Sequence, residues 1–161
     1  MESNVQPISR SQQLAPLSRE HHDGLLFVWK LRQGLKNDIF TERLSRFCAW
    51  YWKFHIKPHF NQEENILLPY LEADHHLAKQ LLREHNEIRE LLISINHNAD
   101  ISTISTLADF IDRHIRFEER ILFKNLEETL SQEQLTEIYQ QLEAEPISSG
   151  EWADPFWGKT K

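Results

Sequence analysis

His59-Phe-Asn-Gln-Glu63-Glu64-Asn-Ile66-Leu67-Leu-Pro-Tyr-Leu71-Glu72 returns later in the chain as His114-Ile-Arg-Phe-Glu118-Glu119-Arg-Ile121-Leu122-Phe-Lys-Asn-Leu126-Glu127, identical at half of the aligned positions. In both copies a His stands four residues before a Glu. On an α-helix that step brings two side chains to one face, about 5–6 Å apart at Cβ, so each copy presents an imidazole beside a carboxylate. A hard or borderline metal ion is bound by such donors.

The rest of the chain fits a helical setting for these motifs. Its 161 residues are enough for one domain with a real core. Four Gly and six Pro are few for a sheet protein, and Leu, Ile, Glu, Gln, Arg and Lys dominate the middle of the sequence, which points to long helices. A formal charge of −7, without clustered Lys and Arg, excludes non-specific attraction to nucleic acid or anionic lipid. The single cysteine, Cys48, excludes an intrachain disulfide framework and a Cys-based zinc site. Residues 1–17 lack the apolar run of a signal peptide, and no stretch is apolar enough to span a bilayer, so the expectation is a soluble cytoplasmic protein.

Residues 1–17 read as an irregular arm, residues 18–143 as a bundle plus a short helix, and residues 144–161 as a tail. The first helix is expected after Ser18 as N-cap, with His22, Leu25, Leu26 and Trp29 on its buried face. The second, from about residue 38 or 41 to 72, is aromatic-rich and should bend before His59, because Pro58 cannot donate to the carbonyl four residues back. The third starts near Asp74 and buries Leu77, Leu81, His85, Ile88, Leu92 and Ile95. The fourth, from about Ser102 to Glu127, aligns Leu107, Ile111, His114, Glu118 and Ile121. Ser131-Gln-Glu-Gln134 opens a short fifth helix with a capping box. Short breaks between the long segments predict an all-α, up-down-up-down antiparallel four-helix bundle. The tail carries Trp152, Phe156 and Trp157, expected to pack on the body, on a second copy or on a protein partner.

His22, His59, Glu63, His85, His114 and Glu118 would then point at the bundle axis. Burying them without compensation would be costly, so a cation is expected among them. A nitrogen and oxygen set without thiolate suits iron, with manganese or zinc as alternatives, and its size suits two ions bridged by Glu63 and Glu118. Helical phase favours His22 over His21, whereas the repeat of Arg-Glu-His at 19–21 and 83–85 argues for His21. His55, Glu64 and Glu119 are expected outside the ligand set, and His75, His76 and His97 in solvent.

Residues 18–127 resemble the hemerythrin-like (HHE cation-binding) domains. The resemblance is carried by His22-Asp-Gly-Leu25-Leu26, His59-Phe-x-x-Glu63-Glu64, Glu84-His85-x-x-Ile88 and His114-Ile-x-x-Glu118-Glu119-x-x-Leu122-Phe. It implies a bundle holding a non-haem, usually di-iron, centre, with the four His as terminal ligands and the two Glu as bridges. Dioxygen carriers of that family have a further His four residues before the one matched by His85. Here that position is Leu81, which argues against reversible dioxygen carriage and leaves a vacancy for water, His55 or Glu84. The expected function is binding or sensing of a small oxidant such as dioxygen or nitric oxide, without dedicated catalysis. The alternatives are a di-iron oxidase, peroxidase or nitric-oxide-consuming enzyme, and a metal-free helical interaction module. Ferritin-like proteins use Glu-x-x-His at a three-residue step, unlike the four-residue step here.

Overall fold

A computed structural model describes residues 10–148 and 150–158, and these contain helices and no strands. The first rod is α1 (Ala15–Lys36). It starts earlier than Ser18 because Pro16 is tolerated in a first turn, where its missing N–H is not needed. The second rod joins α2 (Thr41–Tyr51), a π turn (Trp52–Ile56), α3 (Lys57–Gln62), a second π turn (Glu63–Leu67) and a 3₁₀ turn (Leu68–Tyr70). The third is α4 (His76–His97), capped by His75 Nδ1, which accepts from the Leu77 N–H, where Asp74 was the expected cap. The fourth joins α5 (Ile101–Phe117), a π turn (Glu118–Leu122) and α6 (Phe123–Thr129). A separate α7 (Gln132–Ala144) follows, and its Ser131–Gln134 capping box is present.

At Pro58 the chain meets the lost hydrogen bond with a π turn. The Lys57 N–H reaches the Trp52 carbonyl, five residues back, and the junction residues stay in the right-handed helical region, so the rod continues.

The buried face of α1 differs from the expected one. Leu17, His21, Gly24, Phe27, Val28 and Leu31 face inward, while His22, Leu25, Leu26 and Trp29 are exposed. Gly24 explains the change of phase. A Cβ built there would lie 2.8 Å from Ile115 Cδ1, so α1 packs on α5 through a residue with no side chain, which hydropathy alone cannot mark as core.

Ile121 was also expected inside but is 51 % exposed, and Leu122 takes its place at 0 %. A turn closed i→i+5 takes an extra residue per loop, so the position four after Glu118 faces inward in place of the position three after.

Two apolar clusters form the interior, one around Phe27, Phe47, Ile88 and Ile111, the other around Leu17, Leu81, Phe123 and Leu135. Each rod crosses from one cluster to the other through a polar layer. Leu17 and Phe27 flank it on the first rod, Ile56 and Ile66 on the second, Leu81 and Ile88 on the third, Ile111 and Leu122 on the fourth.

The tail returns to the body. Phe156 is buried against Gly34 and stands edge-on to Phe47 at 5.1 Å, and Trp152 and Trp157 pack on the same ring. Among the described residues, no helix is long and apolar enough to cross a membrane.

Candidate metal centre

The polar layer consists of His21, His59, Glu63, His85, His114 and Glu118, each at most 6 % exposed, and both carboxylates at 0 %. Their donor atoms form two groups, each within 4.8 Å: His21, His59, Glu63 and Glu118, and Glu63, His85, His114 and Glu118. Glu63 and Glu118 belong to both. Five of the six residues expected from the sequence are therefore brought together. The sixth, His22, is exposed and outside both groups, and His21 stands in its place because α1 is rotated by one residue to seat Gly24 on α5.

The Nε2 atoms converge on the carboxylates. His21 Nε2 lies 2.9 Å from Glu118 Oε1 and 3.1 Å from His59 Nε2. His59 Nε2 is 3.3 Å and His85 Nε2 3.1 Å from Glu63 Oε1, while His114 Nε2 is 3.1 Å from Glu118 Oε1. The Nδ1 of each ring faces outward to a carboxylate. An ionised carboxylate only accepts, so Nδ1 carries the hydrogen and Nε2 is left as the inward donor atom. Glu84, one of three candidates for the vacancy at Leu81, accepts from His114 Nδ1 at 2.7 Å. His55 is also outside both groups. Its Nε2 donates to the Glu20 carbonyl at 3.2 Å.

Sequence geometry explains the convergence. Each His-x-x-x-Glu pair spans the last α turn before a π turn, so His and Glu stack on the inward face, and the π turn then returns Leu67 and Leu122 to that face. Single-turn π insertions of this kind recur at functional sites.

Metal-free, the layer would be held by protons. Burial lowers imidazole pKa values, yet the Glu118 carboxylate reverses this and raises His21 to about 10 and His114 to about 9. Glu63 does the same for His59, raising it well above 6.5. Burial pushes Glu118 up, but His114 and His21 hold it well below the usual carboxylate range. Even so, these close contacts are not aligned as hydrogen bonds, and Glu63 Oε2, both Glu118 oxygens and His114 Nε2 are buried with no hydrogen bond. Such atoms carry a desolvation cost that a bound cation would remove. The donor set fits a cation.

A group whose pKa rises on folding contributes stability that is complete below its unfolded value, here 6.5, and is lost as pH rises through the folded value, here about 9 to 10. The melting temperature of chelator-treated protein should therefore fall across that window. A loaded sample, in which metal replaces the Nε2 protons, should stay level, and its metal affinity should rise with pH. A chelated sample that melts at the same temperature from pH 6.5 to pH 10 would contradict this.

A cavity of about 30 Å³ adjoins the layer, lined by Tyr51, His55, Ile56, Ile88, Ile111 and Ile115 beside His21, His59, His114 and Glu118. Tyr51 Oη and His55 Nδ1 are buried there without partners. Burial, with His59 nearby, lowers His55 to about 4, so its ring is neutral. Burial, with Asp23 and Glu20 adding to it, raises Tyr51, so its hydroxyl keeps its proton.

Residues 17–126 match the family model described as the hemerythrin HHE cation binding domain. No curated protein and no solved structure matches the chain.

Proposed function

Since this chain belongs to the hemerythrin HHE cation-binding family, we propose that it holds two non-haem metal ions, iron by preference, and binds or senses one small oxidant beside them. His21 and His59 would serve one ion, His85 and His114 the other, and Glu63 and Glu118 both. The observation that carries this reading is the sharing of two fully buried carboxylates between two four-residue groups, with inward atoms left unpartnered. Nitrogen and oxygen donors without thiolate suit iron, and also manganese or zinc. The bundle is read as up-down-up-down. The first and third rods run from the Leu17 cluster to the Phe27 cluster, and the second and fourth run the other way.

Iron, when bound, would supply open coordination positions for a diatomic molecule or peroxide. The chain supplies the space and the selectivity. About 30 Å³ is room for one molecule of the size of water, dioxygen or nitric oxide, and too little for an organic substrate. Beyond the proposed ligands the walls include Ile56, Phe60, Ile88, Ile111 and Ile115, apolar side chains that favour an uncharged ligand. Cys48 is a buried free thiol, which burial raises to about 12 and so keeps unreactive.

The partnerless Tyr51 hydroxyl favours a second reading, turnover of peroxide or nitric oxide with Tyr51, which keeps its proton, donating a hydrogen bond to the reacting oxygen. One experiment separates the two. Protein loaded anaerobically with ferrous iron should change its optical spectrum on nitric oxide or air, saturating near one ligand per chain. Sustained consumption that is lost in Tyr51→Phe would establish the second reading, and an unchanged spectrum would refute both.

A further inference from the structure

Every inward imidazole is held from behind by a carboxylate of another rod, and the four links close a circle. Glu20 on the first rod accepts from His59 Nδ1 on the second at 2.6 Å. Glu64 on the second accepts from His85 Nδ1 on the third at 2.6 Å, and Glu84 on the third from His114 Nδ1 on the fourth at 2.7 Å. Glu119 on the fourth accepts from His21 Nδ1 on the first at 3.0 Å. These carboxylates are only 13 to 23 % exposed, so water competes weakly for the bonds.

One local rule generates all four links. Each outer Glu is the chain neighbour of an inward residue: Glu20 of His21, Glu64 of Glu63, Glu84 of His85 and Glu119 of Glu118. Neighbours on a helix diverge by about 100°, so when one points at the axis the next points at an adjoining rod. The two repeats, Arg-Glu-His at 19–21 and 83–85 and His-x-x-x-Glu-Glu at 59–64 and 114–119, place the second half of the chain in the same roles as the first. The link from Glu20 to His59 corresponds to that from Glu84 to His114, and the link from Glu64 to His85 to that from Glu119 to His21. Three of the outer carboxylates are themselves fixed. Ser18 donates to Glu119 at 2.8 Å, Gln80 to Glu84 at 2.8 Å and Arg89 to Glu64 at 2.7 Å.

We infer that Glu20, Glu64, Glu84 and Glu119 are positioning residues that divide between the two metal positions: Glu20 and Glu119 govern the one at His21 and His59, Glu64 and Glu84 the one at His85 and His114. The inference rests on the two-ion reading. An outer carboxylate fixes the tautomer and the plane of its ring and raises the basicity of Nε2, effects that together change metal affinity by roughly 10- to 100-fold. Because both links of a pair act on the same ion, the pairs are separable by double substitution.

Cobalt(II) titration of the full chain, followed by its visible spectrum and against a competing chelator, tests this. Wild type should take up two ions. Glu20→Ala and Glu84→Ala should each weaken one ion by roughly 10- to 100-fold and leave the other unchanged. The double variant E20A/E119A should retain one tight ion, whereas E20A/E84A should retain none. Glu20→Gln, which keeps an acceptor oxygen, should recover part of the loss. Metal-free melting and helicity, measured alongside, separate positioning from a folding defect. If wild type binds two ions and E20A weakens both equally, or neither, the inference fails while the two-ion reading stands. A wild type that binds no ion overturns both.

Discussion

Glu118→Ala should remove both metal ions. Glu118 belongs to both four-residue groups, is 0 % exposed, and lies 2.9 Å from His21 Nε2 and 3.1 Å from His114 Nε2. Its chain neighbour Glu119 cannot replace it, because Glu119 points outward to His21 Nδ1, and Glu63 already serves both groups. By contrast, His21→Ala should remove one ion, since His21 belongs to a single group. The loss at Glu118 extends to the metal-free fold. His21 and His114 are left as buried imidazoliums without their main counter-charge, and breaking a buried pair from one side costs about 3–5 kcal/mol. Metal analysis of desalted protein, with a denaturation curve of the chelated form, measures both effects. A Glu118→Ala protein that keeps one ion per chain would contradict the shared role.

The second large effect is expected far from the metal layer. Phe156→Ala should destabilise the chain by about 3–5 kcal/mol, the cost of truncating a fully packed aromatic side chain. Phe156 is 1 % exposed, and a Cβ placed at Gly34 would come within 2.8 Å of its ring, so it fills a seat on α1 that exists only because residue 34 is Gly. Trp157 stands edge-on to it at 5.0 Å, and Phe47 touches all three tail rings. Arg43 also grips the tail through Asp154, at 2.6 Å, but that pair is open to solvent, and screening leaves it a small contribution. Packing therefore dominates. Urea denaturation should show the loss for Phe156→Ala and little change for Asp154→Asn, with metal content unaltered in both. A loss below about 1 kcal/mol for Phe156→Ala would mean that the tail is not part of the core.

The helical character of the chain and five of the six clustered residues were legible in the sequence because the duplicated His-x-x-x-Glu fixes both helical phase and donor chemistry. His59, Glu63, His114 and Glu118 needed only the four-residue step, and His85 lies on the regular stripe from Leu77 to Ile95. Two features were not legible for physical reasons. The phase of α1 depends on Gly24, whose value lies in an absent side chain, so hydropathy drew the stripe through Leu25, Leu26 and Trp29 and chose His22. The π turns depend on backbone hydrogen bonding that apolar periodicity does not record, which is why Ile121 was assigned to the core in place of Leu122. The Arg-Glu-His repeat at 19–21 and 83–85 pointed to His21, the residue that lies in the buried layer. It also marked Glu20 and Glu84, whose place behind His59 and His114 emerges only once the rods are assembled.

The measurement that bears most directly on the two-ion centre is anomalous X-ray scattering from crystals of iron-loaded protein. Two peaks should lie in the polar layer, one beside Nε2 of His21 and His59, the other beside Nε2 of His85 and His114, with Glu63 and Glu118 reaching both. Peaks only at exposed histidines such as His76 or His97, or none in the layer, would contradict it.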